Sequence, residues 1–185
     1  MAVSVVATVG SANANSYITV ATGDAIANTM VGTLSWNSAS NDNKGRALIT
    51  ATNGLETLGW IGARATETQA LAWPRSGVAC SDKAYDDDEI PREIELATFD
   101  LANALLDNPA LLRSAPSSEA LVTGVPNRDL RRLKLDVMEL EWRDDRSAST
   151  TKPVTPLTVL PHLATILGCL TVSVPSTNVL ALVRS

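Results

Sequence analysis

The chain has few aromatic side chains, two cysteines, one histidine and no excess of positive charge. Aromatic residues make up 4% of its 185 residues and apolar residues 45%, which predicts one domain with an aliphatic core. The net charge of -5 argues against a protein that coats nucleic acid, because phosphate binding depends on Lys and Arg. Cys80 and Cys169 are far apart and neither belongs to a CxxC pair, so we expect a reduced, cytosolic protein.

Patterns for catalysis and metal binding are missing as well. The single histidine, His162, lies in an apolar run with no cysteine beside it, which is more typical of a packed or surface residue than of a ligand or base. There is no GxSxG elbow and no P-loop. The acids from Asp86 to Glu89 lack the alternating spacing of a calcium loop and are interpreted as a solvated helix start. The sequence therefore predicts no enzyme, no catalytic residue, no metal site and no cofactor.

Signals for membranes and secretion are absent from the sequence. The opening "MAVSVVATVG" has no positively charged region, and no apolar run reaches the roughly 18 residues of a membrane span. We therefore expect no membrane partner and a protein that is made and kept, or assembled, in a cytosol.

Helical spacing of apolar residues recurs along the chain. The clearest segment places Pro91 in its first turn and follows a run of acids, at the end where the helix dipole favours negative charge; its apolar face is Ile90, Ile94, Ala97, Leu101 and Leu105. Four helices are predicted: Val20–Met30 capped by Thr19 with Ile26 and Met30 on one face, Ser40 or Asn41 to about Leu58, Ile90–Asp107, and a short helix in 157–167 that starts at or is kinked by Pro161 and stops at Gly168.

The segments between these helices predict extended or irregular structure. The N-terminus is β-branched and reads as an arm with a strand-like stretch at Val3–Val9. A loop follows the first helix, and we expect its Trp36 to fill a neighbouring groove. Residues 59–88 predict a long irregular connection.

Two β-prone stretches, "EALVTGV" and "LRRLKLDVMELEW", predict strands joined by the turn signal "PNRD". Four basic residues cluster here and are the best candidates to face DNA: Arg128, Arg131, Arg132 and Lys134. Acids flank the cluster and no aromatic residue is interleaved, which favours a charged outer face over a binding groove.

The predicted fold is mainly α: a small helical bundle with a β-hairpin insertion and extended N- and C-terminal arms. Its parts are an N-terminal arm (1–18), a helical core (19–116), a hairpin with a polar linker (117–151), and a short helix with a C-terminal arm (152–185).

The stretch "ALAWPRSGV" predicts an ordered loop. The indole of Trp73 needs burial, and Pro74 stiffens the chain that leaves it. Long ordered loops usually serve binding or assembly, so Trp73, Pro74 and Arg75 are candidates for a structural or assembly role. Trp73 could equally close the core of its own chain, and the two interpretations are compatible.

Three segments resemble a known family. "ANSYITVATGDA", "KGRALITATNGLETLGWIGARATETQALAWPRSGV" and "DDDEIPREIELATFDLANALL" are similar to head–tail connector, or adaptor, proteins of tailed phages, as is the ending "PLTVLPHLATIL…VLALVRS". The resemblance covers nearly the whole chain, and its "ALAWPR.GV" plus "IP" element is fairly specific. Gly23 stands where the family often has an acidic residue or alanine.

The resemblance implies a structural virion protein of the neck, assembled in the host cytoplasm. Subunits would form a ring of about twelve copies on the portal. The ring would meet stopper or tail-terminal proteins and pass double-stranded DNA without reading its sequence. Related sequences often carry the label DnaT-like single-stranded-DNA-binding protein, and that function is the alternative; it predicts a basic groove with stacked aromatic residues.

The C-terminal arm is apolar and β-prone, and its only charged side chain is Arg184. Such a segment is costly in water unless it is covered, so a neighbouring subunit or the portal is a natural acceptor. The arm could instead pair with the hairpin of its own chain. The assembly candidates on it are Val179, Leu180, Leu182, Val183 and Arg184.

Overall fold

The computed structural model describes residues 3–80, 83–112, 132–135, 138–141 and 155–172. These residues are mainly helical, as predicted. The helices are α1 (Val20–Ala27), α2 (Leu34–Ser38), α3 (Asn41–Leu55), α4 (Arg92–Asp107), α5 (Pro156–Val159) and α6 (His162–Leu167), followed by a 3-10 turn at Gly168–Leu170. The predicted domain boundaries stay predictions.

Helices α3 and α4 pack against each other at the centre, and α1, α2 and α6 cover them. The apolar stripe predicted for the clearest helix is confirmed, because Ile94, Ala97 and Leu101 are fully buried. On α3, Leu48, Ala51 and Leu55 are also fully buried, as their spacing predicts. Aliphatic side chains therefore supply most of the core.

The predicted helix starts are close to the observed ones. The Thr19 hydroxyl accepts the Thr22 N–H at 3.1 Å and the Ser40 hydroxyl accepts the Asn43 N–H at 3.3 Å, so both predicted N-caps are confirmed. The helix predicted from Ile90 begins two residues later, at Arg92, with Pro91 as its N-cap. At the other end of the chain, Gly168 has a positive φ of 42° and ends α6, as predicted.

Two helix ends were predicted too late. Helix α1 ends at Ala27 and not at Met30, because the Thr29 hydroxyl donates to the Ile26 carbonyl at 2.8 Å and the chain then turns at Gly32 with φ 79°. Met30 is consequently exposed and does not share a buried face with Ile26. Helix α3 ends at Leu55, so Leu58 lies beyond it, although it still packs on the core.

The loop predicted around Trp36 contains helix α2, and Trp36 is fully buried, in a groove between helices of its own chain. Its indole N–H donates to the Asp24 carboxylate at 2.8 Å. The Lys44 ammonium pairs with the same oxygen at 2.8 Å and lies 5.3 Å from the indole centroid. The Phe99 ring packs edge-on at 5.1 Å. One side chain thus joins α1, α2, α3 and α4.

Gly23 is the residue that lets Trp36 approach α1. A Cβ atom at Gly23 would lie 2.5 Å from Cζ2 of the Trp36 ring. A side chain at this position therefore requires the indole to move, which accounts for glycine where the resembling family often has alanine.

Gly23→Ala should lower the free energy of unfolding by about 1–3 kcal/mol, the range for overpacking a core. The gain of about 1 kcal/mol from replacing a mid-helix glycine is smaller than that cost. Urea titration of the wild type, Gly23→Ala, Trp36→Leu and the double variant measures the effect. In the Trp36→Leu background the added methyl should become neutral or stabilising, since the ring it meets is gone. Stabilisation by Gly23→Ala in the wild type would contradict this account.

The N-terminal arm is folded onto its own chain, and the strand predicted at Val3–Val9 is absent from the described residues 3–19. Asn15 exchanges two bonds with Val6: its side-chain oxygen accepts the Val6 N–H at 2.8 Å, and its own N–H donates to the Val6 carbonyl at 2.9 Å. An Asn side chain that bonds the backbone in this way competes with a strand ladder. Val3 and Val5 lie against Gly45 of α3.

The connection after α3 is more regular than predicted. It carries two short antiparallel pairs, β1 (Ala63–Arg64) with β2 (Arg75–Ser76) and β3 (Ala79–Cys80) with β4 (Lys83–Ala84). The four acids that follow are all exposed, which confirms their interpretation as a solvated helix start.

The stretch predicted as one strand, "LRRLKLDVMELEW", contains two. Strands β5 (Arg132–Leu135) and β6 (Met138–Glu141) pair with each other in antiparallel fashion, and the turn signal "PNRD" lies outside the described residues. The register sets Leu133 opposite Leu140 and Lys134 opposite Glu139. Like-with-like apolar pairs and opposite charges at facing positions favour this pairing. The stretch "EALVTGV" lies outside the described residues.

The expectation of two unpaired, reduced cysteines is wrong. Cys80 and Cys169 form a disulfide although 89 residues separate them, and their Cα atoms lie 5.9 Å apart. The bond joins the end of β3 to the 3-10 turn after α6. No spacing motif announces it, because the fold alone brings the two residues together.

Candidate functional site

Trp73 lies at the centre of the loop that carries the most specific motif. Its side chain is 1% exposed, which confirms the predicted burial, and its ring meets Trp60 edge-on with centroids 5.8 Å apart. Leu71 and Val78 are buried beside it in the same core, and the peptide bond to Pro74 is cis. The aromatic pair thus fills the space between the connection and the helices.

Gln69 shapes the turn that leads into Trp73. It is 3% exposed, and three of its side-chain hydrogen bonds go to backbone groups of the loop. Its side-chain oxygen accepts the Thr66 N–H at 2.8 Å, and its amide donates to the carbonyls of Leu71 at 2.8 Å and Pro74 at 3.0 Å. Gln69 therefore satisfies the Thr66 N–H and the carbonyls of Leu71 and Pro74 within the loop itself.

Arg75 ties the loop to the chain that precedes it. Its guanidinium donates to the carbonyls of Ile61 at 2.6 Å, Gly62 at 2.5 Å and Ala72 at 3.2 Å. Burial lowers the pKa of this guanidinium, and neighbouring Arg64 lowers it further. Trp73 and Arg75 thus make contacts within their own chain, and their role in assembly stays a prediction.

Glu56, at the end of α3, fastens the other side of the loop. Its carboxylate accepts the Ala72 N–H at 2.9 Å and the Tyr17 hydroxyl. Tyr17 is 4% exposed; burial and the Glu56 carboxylate raise the pKa of its phenol. The segments "NSY", the end of α3 and "ALAW" therefore meet at one carboxylate. Sequence reasoning passed over Glu56, since nothing local marks a bond 39 residues back along the chain.

Tyr17→Phe should flatten the loss of stability at high pH. The raised folded-state pKa keeps Tyr17 protonated, whereas the unfolded chain releases this proton above about pH 10. Stability from Tyr17 is complete below that pH and declines above it, by up to ~1.4 kcal/mol per pH unit. Urea midpoints of both proteins at pH 9 and 10.5 measure the difference. Equal slopes would contradict the assignment. Tyr85→Phe should change the slope less, because Tyr85 is only half-buried.

Aromatic side chains offer no stacking platform within the described ranges. Trp36, Trp60, Trp73, Tyr17 and Phe99 are all buried. Tyr85 is half-buried, with its hydroxyl 3.1 Å from Glu93 and the Lys83 ammonium 4.3 Å from its ring. Bases of a single strand stack on exposed rings, and these rings are not exposed.

Basic residues on the described surface are paired with acids in several places. Lys83 lies 3.6 Å from Glu93, and Arg92 lies 2.9 Å from Glu95. In the hairpin, the register sets Arg132 opposite Glu141 and Lys134 opposite Glu139. The charged outer face predicted for the hairpin stays a prediction. Arg128 and Arg131 lie outside the described residues.

Residues 170–172 lie beside the motif loop and bond the chain at Gly59–Ile61. The Leu170 carbonyl accepts the Ile61 N–H at 3.1 Å, and the Val172 N–H donates to Gly59 at 2.9 Å. Thr171 forms a bridge with Trp60. The assembly candidates of the arm, Val179 to Arg184, lie outside the described residues.

The other residues considered for chemistry are not brought together. His162 is exposed, with its Nε2 3.5 Å from the Asp100 carboxylate, as expected for a surface histidine. Burial raises the pKa of Asp100, and His162 opposes that shift. Among the described residues no group of three His, Cys, Asp or Glu side chains could hold a metal ion. In the same ranges, no helix has both the length and the apolar character to cross a membrane.

The fold and the loop define a small, mainly helical protein. Its most specific motif is a loop that is held in place by contacts within its own chain. The chain belongs to the family described as "Putative DnaT-like ssDNA binding protein", whose model matches residues 1–184. This description corresponds to the alternative function, and the connector identity stays a prediction. No curated protein and no solved structure matches the chain.

Proposed function

We propose that this chain is a structural virion protein, a head–tail connector subunit that forms a ring on the portal and links capsid to tail. The observation that carries self-assembly is an exposed apolar corner between α1 and α2. Val31 is 97% exposed, Leu34 80% and Met30 39%. Apolar side chains that adjoin one another at a surface often mark an interaction site.

The corner is held in place by α4 and is not a loose loop. The Asn103 side chain donates to the Gly32 carbonyl at 3.2 Å and accepts the Trp36 N–H at 3.1 Å. Ser35 donates to Asp107 at 3.2 Å. Because these bonds fix the backbone directly after Val31, the corner is held where a partner can cover it, and a second copy of the chain is the partner that a ring requires.

The charge of the chain fits a DNA conduit. At a net charge of -5 it lacks the excess of Lys and Arg that would hold a duplex through its phosphates and slow its passage. Double-stranded DNA would then pass without sequence-specific contact. The portal and the stopper or tail-terminal proteins are the proposed neighbours, and the neck of the virion is the proposed location.

Mass photometry of the full chain, alone and with the portal protein, tests the assembly. We expect a ring in the wild type and monomers of unchanged helical circular dichroism in Val31→Asp and Leu34→Asp. Thr68→Asp adds the same charge at an exposed residue outside the corner and should leave the ring intact. A wild-type chain that stays monomeric even with the portal would overturn the proposal.

The C-terminal arm has a separate test. Deleting 178–185 removes the apolar cluster and Arg184. We expect the helical core to stay folded by circular dichroism while assembly onto the portal is lost. Infectious particles from the truncated chain would show that the arm is dispensable, and an unfolded monomer would show that it belongs to the chain's own core.

Single-stranded-DNA binding is the second candidate, and the family description is the finding that favours it. Fluorescence anisotropy with a short single-stranded oligonucleotide at about 0.15 M salt separates the two functions. The buried rings and the net charge of -5 predict no tight binding and no steep salt dependence. A submicromolar Kd that weakens in Arg131→Ala and Arg132→Ala would favour this candidate over the connector.

A further inference from the structure

The disulfide lies directly before the short segment, Leu170–Val172, that bonds the chain at Gly59–Ile61. Cys169 is exposed and Cys80 is half-buried, so a small thiol can reach the bond from solvent. Exposed disulfides are the ones that thiols reduce most readily. These two residues are the only cysteines of the chain, so reduction produces one defined dithiol and no reshuffled pair.

On the C-terminal side, the bond supports a short edge. After Cys169, the main chain is held by the Ile61–Leu170 and Val172–Gly59 hydrogen bonds of 3.1 and 2.9 Å. Leu170 is buried, but Val172 is already 52% exposed. Among the described residues, the edge beyond Leu170 is therefore held mainly by the hydrogen bond between Val172 and Gly59 and the bridge between Thr171 and Trp60.

On the other side, the bond is fixed to the β3–β4 pair. Val78 is 3% exposed and its carbonyl accepts the Tyr85 N–H at 3.1 Å, which anchors the base of this pair. Lys83 reaches Glu93 of α4 at 3.6 Å. The disulfide thus connects a weakly held edge to a pair that is anchored to the core.

We propose that Cys80 and Cys169 form a redox latch that sets how firmly the edge at Leu170–Val172 is held against Gly59–Ile61. The latch is closed as the disulfide and open as the dithiol. A thiol of the glutathione class opens it: its thiolate attacks the Cys169 sulfur, the Cys80 sulfur leaves as a thiolate and takes a proton. The thiolate of a second small thiol then attacks the small-molecule sulfur of this mixed disulfide, and the Cys169 sulfur leaves as a thiolate and takes a proton.

The products are two protein thiols and one small disulfide, so two electrons and two protons enter the protein. The reverse exchange with the oxidised small disulfide closes the latch. A chain made in a reducing cytosol would begin with the latch open and close it on meeting an oxidising medium. This inference stands whether or not the chain forms a connector ring, because it concerns only contacts within one chain.

Amide hydrogen exchange of the full chain tests the latch in glutathione buffers, reduced and oxidised. The reporters are the N–H groups of Ile61 and Val172, and the reference is the N–H of Ala102 in the buried face of α4. We expect exchange at both reporters to be at least tenfold faster in the reduced protein, with a much smaller change at Ala102.

Cys80→Ser and Cys169→Ser serve as matched controls. Both should show the fast reporter rates in either buffer, and peptide mapping without reductant should find the bond only in the oxidised wild type. Equal reporter rates in the two buffers, or no bond in oxidised glutathione, would overturn the latch. Equally faster hydrogen exchange at Ala102 and at the two reporters would also overturn it. The bond would then stabilise the whole fold and not the edge at Leu170–Val172 in particular.

Discussion

Replacing Trp73 by alanine should lower the free energy of unfolding by about 3–5 kcal/mol, the range for truncating a core aromatic. The side chain is 1% exposed and packs edge-on against Trp60, so its loss leaves a cavity that the tight loop around it cannot fill by small shifts. Urea or thermal unfolding followed by circular dichroism measures the effect. A melting temperature within about 2 °C of the wild type would refute the prediction.

Trp73→Phe is the matched control for this experiment. The indole N–H of Trp73 has no hydrogen-bond partner among the described residues, so a phenyl ring forfeits volume but no bond. We expect a loss well below that of the alanine variant. A phenylalanine variant as unstable as the alanine variant would show that the indole N–H, and not the packing of the ring, holds the loop.

Glu56→Ala should cost about 2–4 kcal/mol, the second-largest effect we expect. The change leaves two buried donors without an acceptor, the Tyr17 hydroxyl and the Ala72 N–H, and hydrogen bonds to a charged group are each worth about 1.5–3 kcal/mol. Urea unfolding at pH 7 measures the loss. Glu67→Ala removes an exposed carboxylate of the same connection and should change stability by less than about 0.5 kcal/mol.

Glu56→Gln separates the charge from the bond. The amide keeps one oxygen acceptor, so part of the loss should be recovered. If Glu56→Ala and Glu67→Ala lowered the free energy of unfolding by equally small amounts, Glu56 would not be the residue that holds the loop. Arg75 and Gln69 would then hold it without Glu56.

Elements with a strong local pattern were predictable. The apolar stripe of α4 needs only a period of 3.6 residues and Pro91 at its start, and it occurs within one residue or two of the predicted bounds. The caps Thr19 and Ser40 and the stop at Gly168 are likewise local, because each acts on backbone within three or four residues.

Elements that depend on distant partners were not predictable. Helix α2 has five residues, of which only Leu34 and Trp36 are apolar. A segment this short has no helical periodicity that the sequence could show. It forms because Trp36 packs against Gly23 and Phe99 and donates a hydrogen bond to Asp24. The hairpin turn was missed for a different reason: the charge order in "RLKLDVMELE" does favour facing pairs, and the pattern was interpreted as a single strand instead.

In the candidate site, the sequence indicated the ordered loop but not the hydrogen bonds that hold it in place. Burial of Trp73 follows from a large indole in a polar loop, and the structure confirms it. The roles of Arg75, Gln69 and Glu56 do not follow, because their partners are backbone groups whose positions only the folded chain defines.

The sequence by itself determined a mainly helical chain with an aliphatic core, its principal helices and a loop built around a buried tryptophan. These features rest on composition and on contacts a few residues apart. Tertiary structure alone decided the pairing of Cys80 with Cys169, the folding of the N-terminal arm onto α3, and the meeting of Tyr17, Glu56 and Ala72. Residues distant in the chain become neighbours only when helices have packed, and no local pattern encodes which of them will meet.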